Sequence, residues 1–330
     1  MLRRRVGFAA EDVYKRQVLF EGLGAVLLSI RFIPQYGLLR GLWYGCFHSI
    51  SAFCNAGFDL MGHSGKYGSL CGYTGDWLVI GVISLLIIIG GIGFTVWDDL
   101  YRKKFRLGRC MLHTKLVLVT TALLLTVSAF LFFFMEKDNL LVGMSPGEAF
   151  LACFFSAVTP RTAGFNSVDT ASLTDGSKFL TAVLMFIGGS PGSTAGGIKT
   201  STLAVLLLYV HSNIRQTYGV EVFGRRLEDE SIRQSACILT INLGLMVVAS
   251  IAIMTVQNLP MSDILFETCS AMGTSGMSTG ITRSLNAFSR IVVIVLMCCG
   301  RIGSLSFALA FTRTSLKPHV ELPRERITIG

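Results

Sequence analysis

Charged residues are scarce in this chain. They make up 15% of its 330 residues, whereas a soluble domain carries roughly 25%. Metal-binding cysteine patterns are missing as well, because none of the nine cysteines stands in a CxxC spacing. Most of them lie inside apolar segments, where cysteine behaves as a small hydrophobic residue. The scarcity of charge excludes a soluble globular domain, and the cysteine spacing argues against a zinc site or a disulfide framework.

Apolar residues are correspondingly abundant. They account for 52% of the chain, and several apolar runs reach the length of about 18 residues that indicates a transmembrane helix. The net charge of +9 comes from lysines and arginines in short loops beside these runs. That placement indicates cytoplasmic loops of a membrane protein and not a nucleic-acid-binding surface. The composition therefore predicts an all-α integral membrane protein.

Three short segments repeat one pattern. In each, a Ser-Ala pair ends a short apolar run, and a glycine with small neighbours follows. The glycines are Gly57, Gly164 and Gly276, which stand 107 and 112 residues apart. Spacing of this kind indicates an internal repeat. In the middle copy, Pro160 and Arg161 add two residues between the Ser-Ala pair and the glycine, so we expect this copy to differ in shape.

Each repeat consists of a span, a short re-entrant helix, a glycine-bearing loop and a second span. The repeats are predicted at 18–97, 116–210 and 234–311, joined by basic loops at 98–115 and 211–233 and followed by a tail at 312–330. The spans within them are predicted at 18–33, 77–97, 116–135, 179–210, 235–256 and 288–311. Basic residues place the loops and the tail in the cytoplasm. Residues 1–17 differ in composition and are either a cytoplasmic arm or a foreign or mispredicted start.

The re-entrant helices are too short to cross a bilayer. They are predicted at 43–54, after the capping signal Ser145-Pro146-Gly147-Glu148, and near 262–272. A helix that enters from outside directs its C-terminal end, which carries roughly −0.5 charge, toward the membrane centre. The glycine-bearing loop that follows can then present backbone carbonyls to a pore. This layout favours a cation.

Ion selectivity would then come from backbone carbonyls alone, because no ring of acidic residues accompanies these loops. That favours a monovalent ion stripped of water over a divalent ion. The residues predicted to form the filter are Asn55, Ala56, Gly57, Phe58, Thr162, Ala163, Gly164, Phe165, Thr274, Ser275, Gly276 and Met277. The alternative interpretation is that the three glycines only permit close helix packing.

The span predicted at 179–210 contains a glycine-rich break. As one helix its 32 residues would reach about 48 Å, well beyond the roughly 30 Å hydrocarbon core. The break must therefore line protein or a water-filled cavity. We predict that it forms a gate of Gly188, Gly189, Ser190, Gly192, Ser193, Thr194, Gly196, Gly197 and Lys199, together with Arg301. A phosphate loop is excluded, because Ile198 disrupts the required spacing and no strand precedes it.

Arg301 and Lys199 each allow two interpretations. Arg301 stands near the middle of the last predicted span, where a charge costs roughly 3 kcal/mol or more and needs partners. It is either a structural clamp or a positive charge beneath the pore that sets a permeation barrier. Lys199 is either a residue that extends to the membrane interface or part of the same gate.

Four motifs resemble the Trk/Ktr/HKT superfamily of potassium transporters, and in particular the bacterial KtrB-type subunit. They are FHSISAFCNAGFDL (47–60), SAVTPRTAGFNSVD (156–169), GGSPGSTAGGIKTST (188–202) and CGRIG (299–303). The resemblance covers nearly everything from about residue 18 to the end. It implies a potassium-channel-like fold, filter glycines at 57, 164 and 276, a gating loop at 188–200 and a pore-side Arg301. It also implies a homodimer with a cytoplasmic nucleotide-binding KtrA/TrkA-type regulatory subunit.

The resemblance implies potassium uptake across the bacterial plasma membrane, with K⁺ as the transported ion and Na⁺ as a possible coupling ion. Members of the family carry four repeats, whereas three are evident here, so we expect a chain whose first repeat is missing. One alternative is therefore a non-functional fragment of such a transporter. Another is a sodium-translocating subunit associated with an ATPase, for which Glu21 is the main candidate carboxylate. No nucleophile, base or metal cluster indicates an enzyme.

Overall fold

The computed structural model describes residues 2–63, 67–217 and 219–303, with side chains from Tyr14 onward except that of His63. The fold within these ranges is almost entirely helical. The helices are α1 (Leu2–Tyr36), α2 (Leu38–Phe53), α3 (Trp77–Ile92), α4 (Phe94–Arg102), α5 (Leu112–Glu136), α6 (Pro146–Val158), α7 (Asp175–Ile187), α8 (Thr200–Ile214), α9 (Asp229–Val256), α10 (Met261–Gly273) and α11 (Ala287–Ile302). A two-residue antiparallel hairpin of β1 (Glu221–Val222) and β2 (Arg225–Arg226) separates α8 from α9.

Three helices in the described part of the chain are long and apolar enough to cross a membrane. They are Tyr14–Tyr36 of α1, Leu112–Glu136 and Asp229–Val256, and each opens one repeat. The first is longer than predicted, because α1 runs without a break from Leu2 through the predicted span at 18–33. Residues 2–17 are thus helical and continuous with the first predicted span. The membrane-protein fold class is confirmed.

The three re-entrant helices are α2, α6 and α10. Their lengths of 16, 13 and 13 residues correspond to about 20–24 Å at 1.5 Å per residue, less than the hydrocarbon core. The capping box predicted at Ser145 is present: its hydroxyl accepts from the Glu148 backbone N–H, and the Glu148 carboxylate accepts from the Ser145 N–H. Two otherwise unpaired N–H groups at the start of α6 are satisfied in this way.

The second helix of each repeat follows one design. A polar side chain caps the start of α3, α7 and α11, namely Asp76, Thr174 and Asn286. Each helix then ends at a glycine with positive φ: Gly93 (101°), Gly188 (57°) and Gly303 (90°). Glycine adopts these torsions without a steric penalty. The repeat is therefore visible in how these helices begin and end.

Three predicted spans are not single straight helices of the predicted length in the structure. The span at 77–97 bends by 90° at Gly93, where α3 gives way to α4. The span at 179–210 is interrupted at 188–199, as predicted, between α7 and α8. The last span was predicted at 288–311, but α11 ends at Ile302. The rest of that span and the tail at 312–330 lie outside the described residues.

The boundaries of the predicted loops also need correction. The loop at 98–115 is helical at both ends, because α4 runs to Arg102 and α5 begins at Leu112. The buried Asp99 joins these helices: its Oδ2 accepts from the Met111 N–H and the Thr114 hydroxyl, both at 2.7 Å. The loop at 211–233 begins inside α8 and ends inside α9.

Hydrophobic side chains pack the repeats against one another. The largest core joins α1, α2 and α3 to α6 of the second repeat through residues such as Phe32, Phe53 and Phe155. A smaller core joins α7 to α10 of the third repeat, where Met185 contacts Phe266. The first and second repeats are therefore each anchored to the re-entrant helix of the next one along the chain.

Candidate functional site

The segments that follow the three re-entrant helices lie side by side. We call residues 55–58, 162–165 and 274–277 the first, second and third glycine segments. A Cβ atom on Gly57 would lie 2.3 Å from the Ala163 carbonyl oxygen, and one on Gly164 would lie 2.3 Å from the Ser275 carbonyl oxygen. Only glycine allows so close an approach. The three segments therefore form adjoining walls of one site, in chain order.

The backbone of all three segments follows the same alternation. Each glycine has positive φ, at 71°, 86° and 78°. The residue two positions earlier also has positive φ: Asn55 at 49°, Thr162 at 67° and Thr274 at 52°. The small residue between them keeps a negative φ. Alternating torsions of this kind turn successive carbonyls to the same side of the chain, which is the arrangement that a carbonyl-lined cation site needs.

A hydroxyl from the end of each re-entrant helix holds the residue after the glycine. Ser51 Oγ donates to the Phe58 carbonyl at 2.8 Å, and Ser270 Oγ donates to the Met277 carbonyl at 2.6 Å. In the second repeat, Thr159 Oγ1 donates to the Phe165 carbonyl. The Ser-Ala pair at 156–157 is therefore not the structural equivalent of the other two pairs, since Thr159 takes its role.

The second wall differs in shape, as predicted. Helix α6 ends at Val158, six residues before Gly164, and the extra turn contains Pro160 and Arg161. Arg161 is 4% exposed, and its guanidinium donates to Thr121 Oγ1 at 3.3 Å. The turn thus packs against α5, behind the second glycine segment.

Three side-chain oxygens at matching positions have no hydrogen-bond partner among the described residues. They are Asn55 Oδ1, Thr162 Oγ1 and Thr274 Oγ1, all buried. Each stands two residues before its glycine. A buried polar atom without a partner is unusual and requires an explanation, and oxygen is the ligand type that alkali cations take. From the sequence, only backbone carbonyls are expected here. The sequence does contain a signal for these additional oxygens, because a polar residue stands two positions before each of the three glycines.

A cavity of about 800 Å³ opens above the glycine segments. All three glycines line it, together with Asp59 and Asp169. Carboxylates around a concave mouth raise the local concentration of cations. The cavity is therefore suited to serve as an outer vestibule.

The glycine-rich break lies at the opposite end of the glycine segments. A Cβ atom on Gly196 would lie 2.0 Å from Thr274 Oγ1, and the Asn55 amide donates to Thr194 Oγ1 at 2.9 Å. Both partners stand two residues before a segment glycine. The break thus contacts the first and third walls directly.

Basic side chains and backbone contacts hold the break in place. Arg301 donates to the Thr194 carbonyl at 3.3 Å, and Lys199 Nζ donates to the Ala195 carbonyl at 2.7 Å. Arg301 was predicted near the middle of a span, but it lies in the last turn of α11 and is exposed. Both cations bind carbonyls of the break, so the structure places them together with the other predicted gate residues.

The bend between α3 and α4 also contacts the break. The Phe94 N–H donates to the Gly192 carbonyl at 3.0 Å, and the Ser190 N–H donates to the Gly91 carbonyl at 3.1 Å. A Cβ atom on Gly93 would lie 2.6 Å from the Pro191 carbonyl oxygen. These contacts are not predicted from the sequence, because the apolar pattern at 77–97 indicates one straight span.

Comparisons with known proteins show the family of this chain. A family model described as TrkH, cation transport protein, matches residues 13–318. The potassium/sodium uptake protein NtpJ of Enterococcus hirae is 38% identical over 325 residues, which cover 96% of this chain and 71% of that protein. The Ktr system potassium uptake protein B of Bacillus subtilis is 38% identical over 315 residues, covering 95% and 69%.

A solved structure shares the fold. The crystal structure of the potassium transporter TrkH from Vibrio parahaemolyticus superposes with a TM-score of 0.67 at 19% sequence identity, covering 91% of this chain and 72% of that one. The apolar helices and these relatives identify a multi-pass protein of the bacterial plasma membrane. By the extent of the family match and the identity to the KtrB-type relatives, the chain belongs to the TrkH family of cation transport proteins.

Proposed function

We propose that this chain takes up potassium across the bacterial plasma membrane through a gated pore. The three glycine segments are the walls of its selectivity filter, K⁺ is the transported ion, and the break at 188–199 is the gate. One observation carries the proposal: the same torsion alternation and the same unpaired buried oxygen recur in all three walls. Carbonyl and side-chain oxygens so placed can replace the hydration shell of a monovalent cation.

A charge introduced into a wall tests the filter. Gly164→Asp is expected to abolish growth at low potassium in a strain that lacks other uptake systems, because the side chain would collide with the Ser275 carbonyl. Rubidium uptake measured against sodium uptake reports selectivity in the same cells. Gly108→Asp, in the loop between α4 and α5, is the matched control, since a Cβ there meets nothing within 4 Å and the position lies outside the spans. Unchanged growth and selectivity for Gly164→Asp would reject the filter assignment.

Shortening the break tests the gate. Deletion of residues 192–196 is expected to raise rubidium flux at equal protein level, since it removes the contacts of Thr194 and Gly196 with the walls. Flux that stays level or falls, with the protein correctly inserted, would reject the gate assignment.

Sodium is the second candidate ion. The name of the Enterococcus hirae relative includes sodium as well as potassium. Competition between the two ions for rubidium uptake, with and without ATP, separates passive potassium uptake from a sodium-translocating role. Sodium uptake that depends on ATP and exceeds rubidium uptake would favour the alternative.

We also propose a homodimer that binds a cytoplasmic nucleotide-binding subunit of the KtrA/TrkA type. The name of the Bacillus subtilis relative, a Ktr system protein, supports a multi-component assembly. Light scattering of the detergent-solubilised chain, alone and with a candidate regulatory subunit, tests both points. A chain that remains monomeric and does not bind the regulatory subunit would contradict both points.

A further inference from the structure

One carboxylate is buried behind the third glycine segment. Glu267 lies in α10, nine residues before Gly276, and is 5% exposed. Its Oε1 accepts hydrogen bonds from Ser278 Oγ and, at 2.9 Å, from Thr282 Oγ1. Both donors belong to the stretch of chain that leaves the third segment. The carboxylate therefore ties the re-entrant helix to the outer end of this wall.

In the first repeat, a buried side chain nine residues before the glycine makes a comparable hydrogen bond. His48 stands nine residues before Gly57 and is fully buried. Its Nδ1 lies 2.7 Å from the Tyr44 carbonyl oxygen, which can only accept, so Nδ1 carries the proton. Nε2 then accepts from the Leu60 N–H at 3.3 Å. Leu60 lies just after the first glycine segment, so this ring also holds the outer end of its wall.

The second repeat is held differently. Phe155 stands nine residues before Gly164 and cannot accept a hydrogen bond. The chain beyond this wall is bound by a loop of the first repeat: the Leu70 N–H donates to the Asn166 carbonyl at 2.8 Å, and Ser69 Oγ accepts from the Asn166 N–H at 3.2 Å. A neighbouring repeat thus supports the second wall.

The third wall has the most open glycine, although Thr170 Oγ1 of the second repeat donates to the Ser278 carbonyl at 2.6 Å. A Cβ atom on Gly276 would meet nothing within 4 Å, in contrast to Gly57 and Gly164. A cavity of about 560 Å³ runs along this wall and is lined by Glu267, Met277 and other residues. Glu267 accepts two hydrogen bonds beside this open glycine, whereas His48 accepts one from the chain after the first wall.

We propose that Glu267 is a positioning residue for ion discrimination: through Ser278 and Thr282 it holds the third wall in the shape that favours potassium over sodium. His48 has the same role at the first wall, to a smaller extent. The inference rests on the proposed function. Without the hydrogen bonds of Glu267, the carbonyls of Gly276 and Met277 can shift toward a smaller ion. This shift weakens the discrimination between potassium and sodium without closing the pore.

The test compares rubidium with sodium uptake by the purified chain in liposomes. Glu267→Ala is expected to lower the rubidium-to-sodium ratio about tenfold, equivalent to about 1.4 kcal/mol. Thr282→Val, which removes one donor and keeps the shape, is expected to shift the ratio in the same direction. Glu267→Gln should keep the ratio within about twofold, because the amide oxygen still accepts both hydrogen bonds. His48→Phe, which copies the second repeat, should shift the ratio less than Glu267→Ala.

A matched control and a second readout complete the test. Glu148→Gln changes a glutamate in the first turn of another re-entrant helix, and should leave the ratio unchanged. The thermal unfolding midpoint in potassium and in sodium is measured for the same proteins. The parent chain should be more stable in potassium, and Glu267→Ala should lose most of that difference.

The outcomes separate the two proposals. A parent chain that prefers rubidium, with Glu267→Ala and Thr282→Val indistinguishable from it, overturns the role of Glu267 alone. If Glu267→Ala does not fold, Thr282→Val decides. A parent chain without rubidium uptake contradicts the proposed function, and its thermal midpoints then test the role of Glu267. A parent chain with neither rubidium uptake nor a potassium-dependent shift of its thermal midpoint overturns both.

Discussion

At the residue scale, the three glycines share a torsion but differ in their surroundings. Gly164→Ala is expected to reduce rubidium uptake at least about tenfold more than Gly276→Ala. Its Cβ would lie 2.3 Å from a neighbouring carbonyl, whereas Gly276 has open space and incurs only the left-handed torsion, roughly 1–2 kcal/mol. Uptake by the two variants in liposomes checks this. Gly244→Ala, in α9, is the control, and equal losses for the two test variants would contradict the expectation.

A thiol in the outer vestibule provides a second residue-scale prediction. Burial, followed by the charge of Asp169, raises the pKa of Cys71 to about 11. Maleimide labelling of Cys71 should therefore be slow at neutral pH and rise about tenfold per pH unit until the pH approaches that pKa, because the thiolate is the reactive form. Mass spectrometry of the labelled peptide follows this. A rate that levels off below pH 9 would contradict the assigned environment.

At the element scale, the bend at Gly93 connects the second helix of the first repeat to the break. Gly93→Ala is expected to change rubidium flux severalfold, because its φ of 101° disfavours a side chain and a Cβ would lie 2.6 Å from the Pro191 carbonyl. Gly81→Ala, in the same helix, has nothing within 4 Å of its Cβ. It should leave flux unchanged and increase helix stability by up to about 1 kcal/mol. Identical behaviour of the two variants would show that the bend does not act on the gate.

At the scale of the whole molecule, charge sets the orientation. A protease site inserted at Gly108 should be cut only from the cytoplasmic side, since six basic residues lie between 102 and 115. One inserted at Gly143, between α5 and α6, should be cut only from the outside. Both positions have open space around the Cβ, so the insertions should be tolerated. Protease digestion of spheroplasts and of inverted vesicles shows from which side each site is cut. The reverse pattern would contradict the proposed orientation.

The sequence by itself determined the features that depend on neighbouring residues. Hydrophobic runs identified the spans that open the repeats, the Ser145 capping signal predicted the start of α6, and glycine density predicted the interruption after Ile187. These follow from local chemistry: bilayer thickness, unpaired helix-end N–H groups and glycine's low helix propensity. The repeat spacing also placed the three glycine segments in corresponding positions.

Only the tertiary structure decided which distant groups meet. Thr159, and not a residue of the Ser-Ala pair, holds the second wall, because the extra turn at Arg161 changes the register of that segment. Helix α3 bends at Gly93 because residues about 100 positions later pack against it. Glu267 was not predicted as a site residue from the sequence. Its role depends on the hydroxyls of Ser278 and Thr282, which the chain after the third wall brings next to it. Such contacts depend on how the repeats pack together, which a local pattern does not encode.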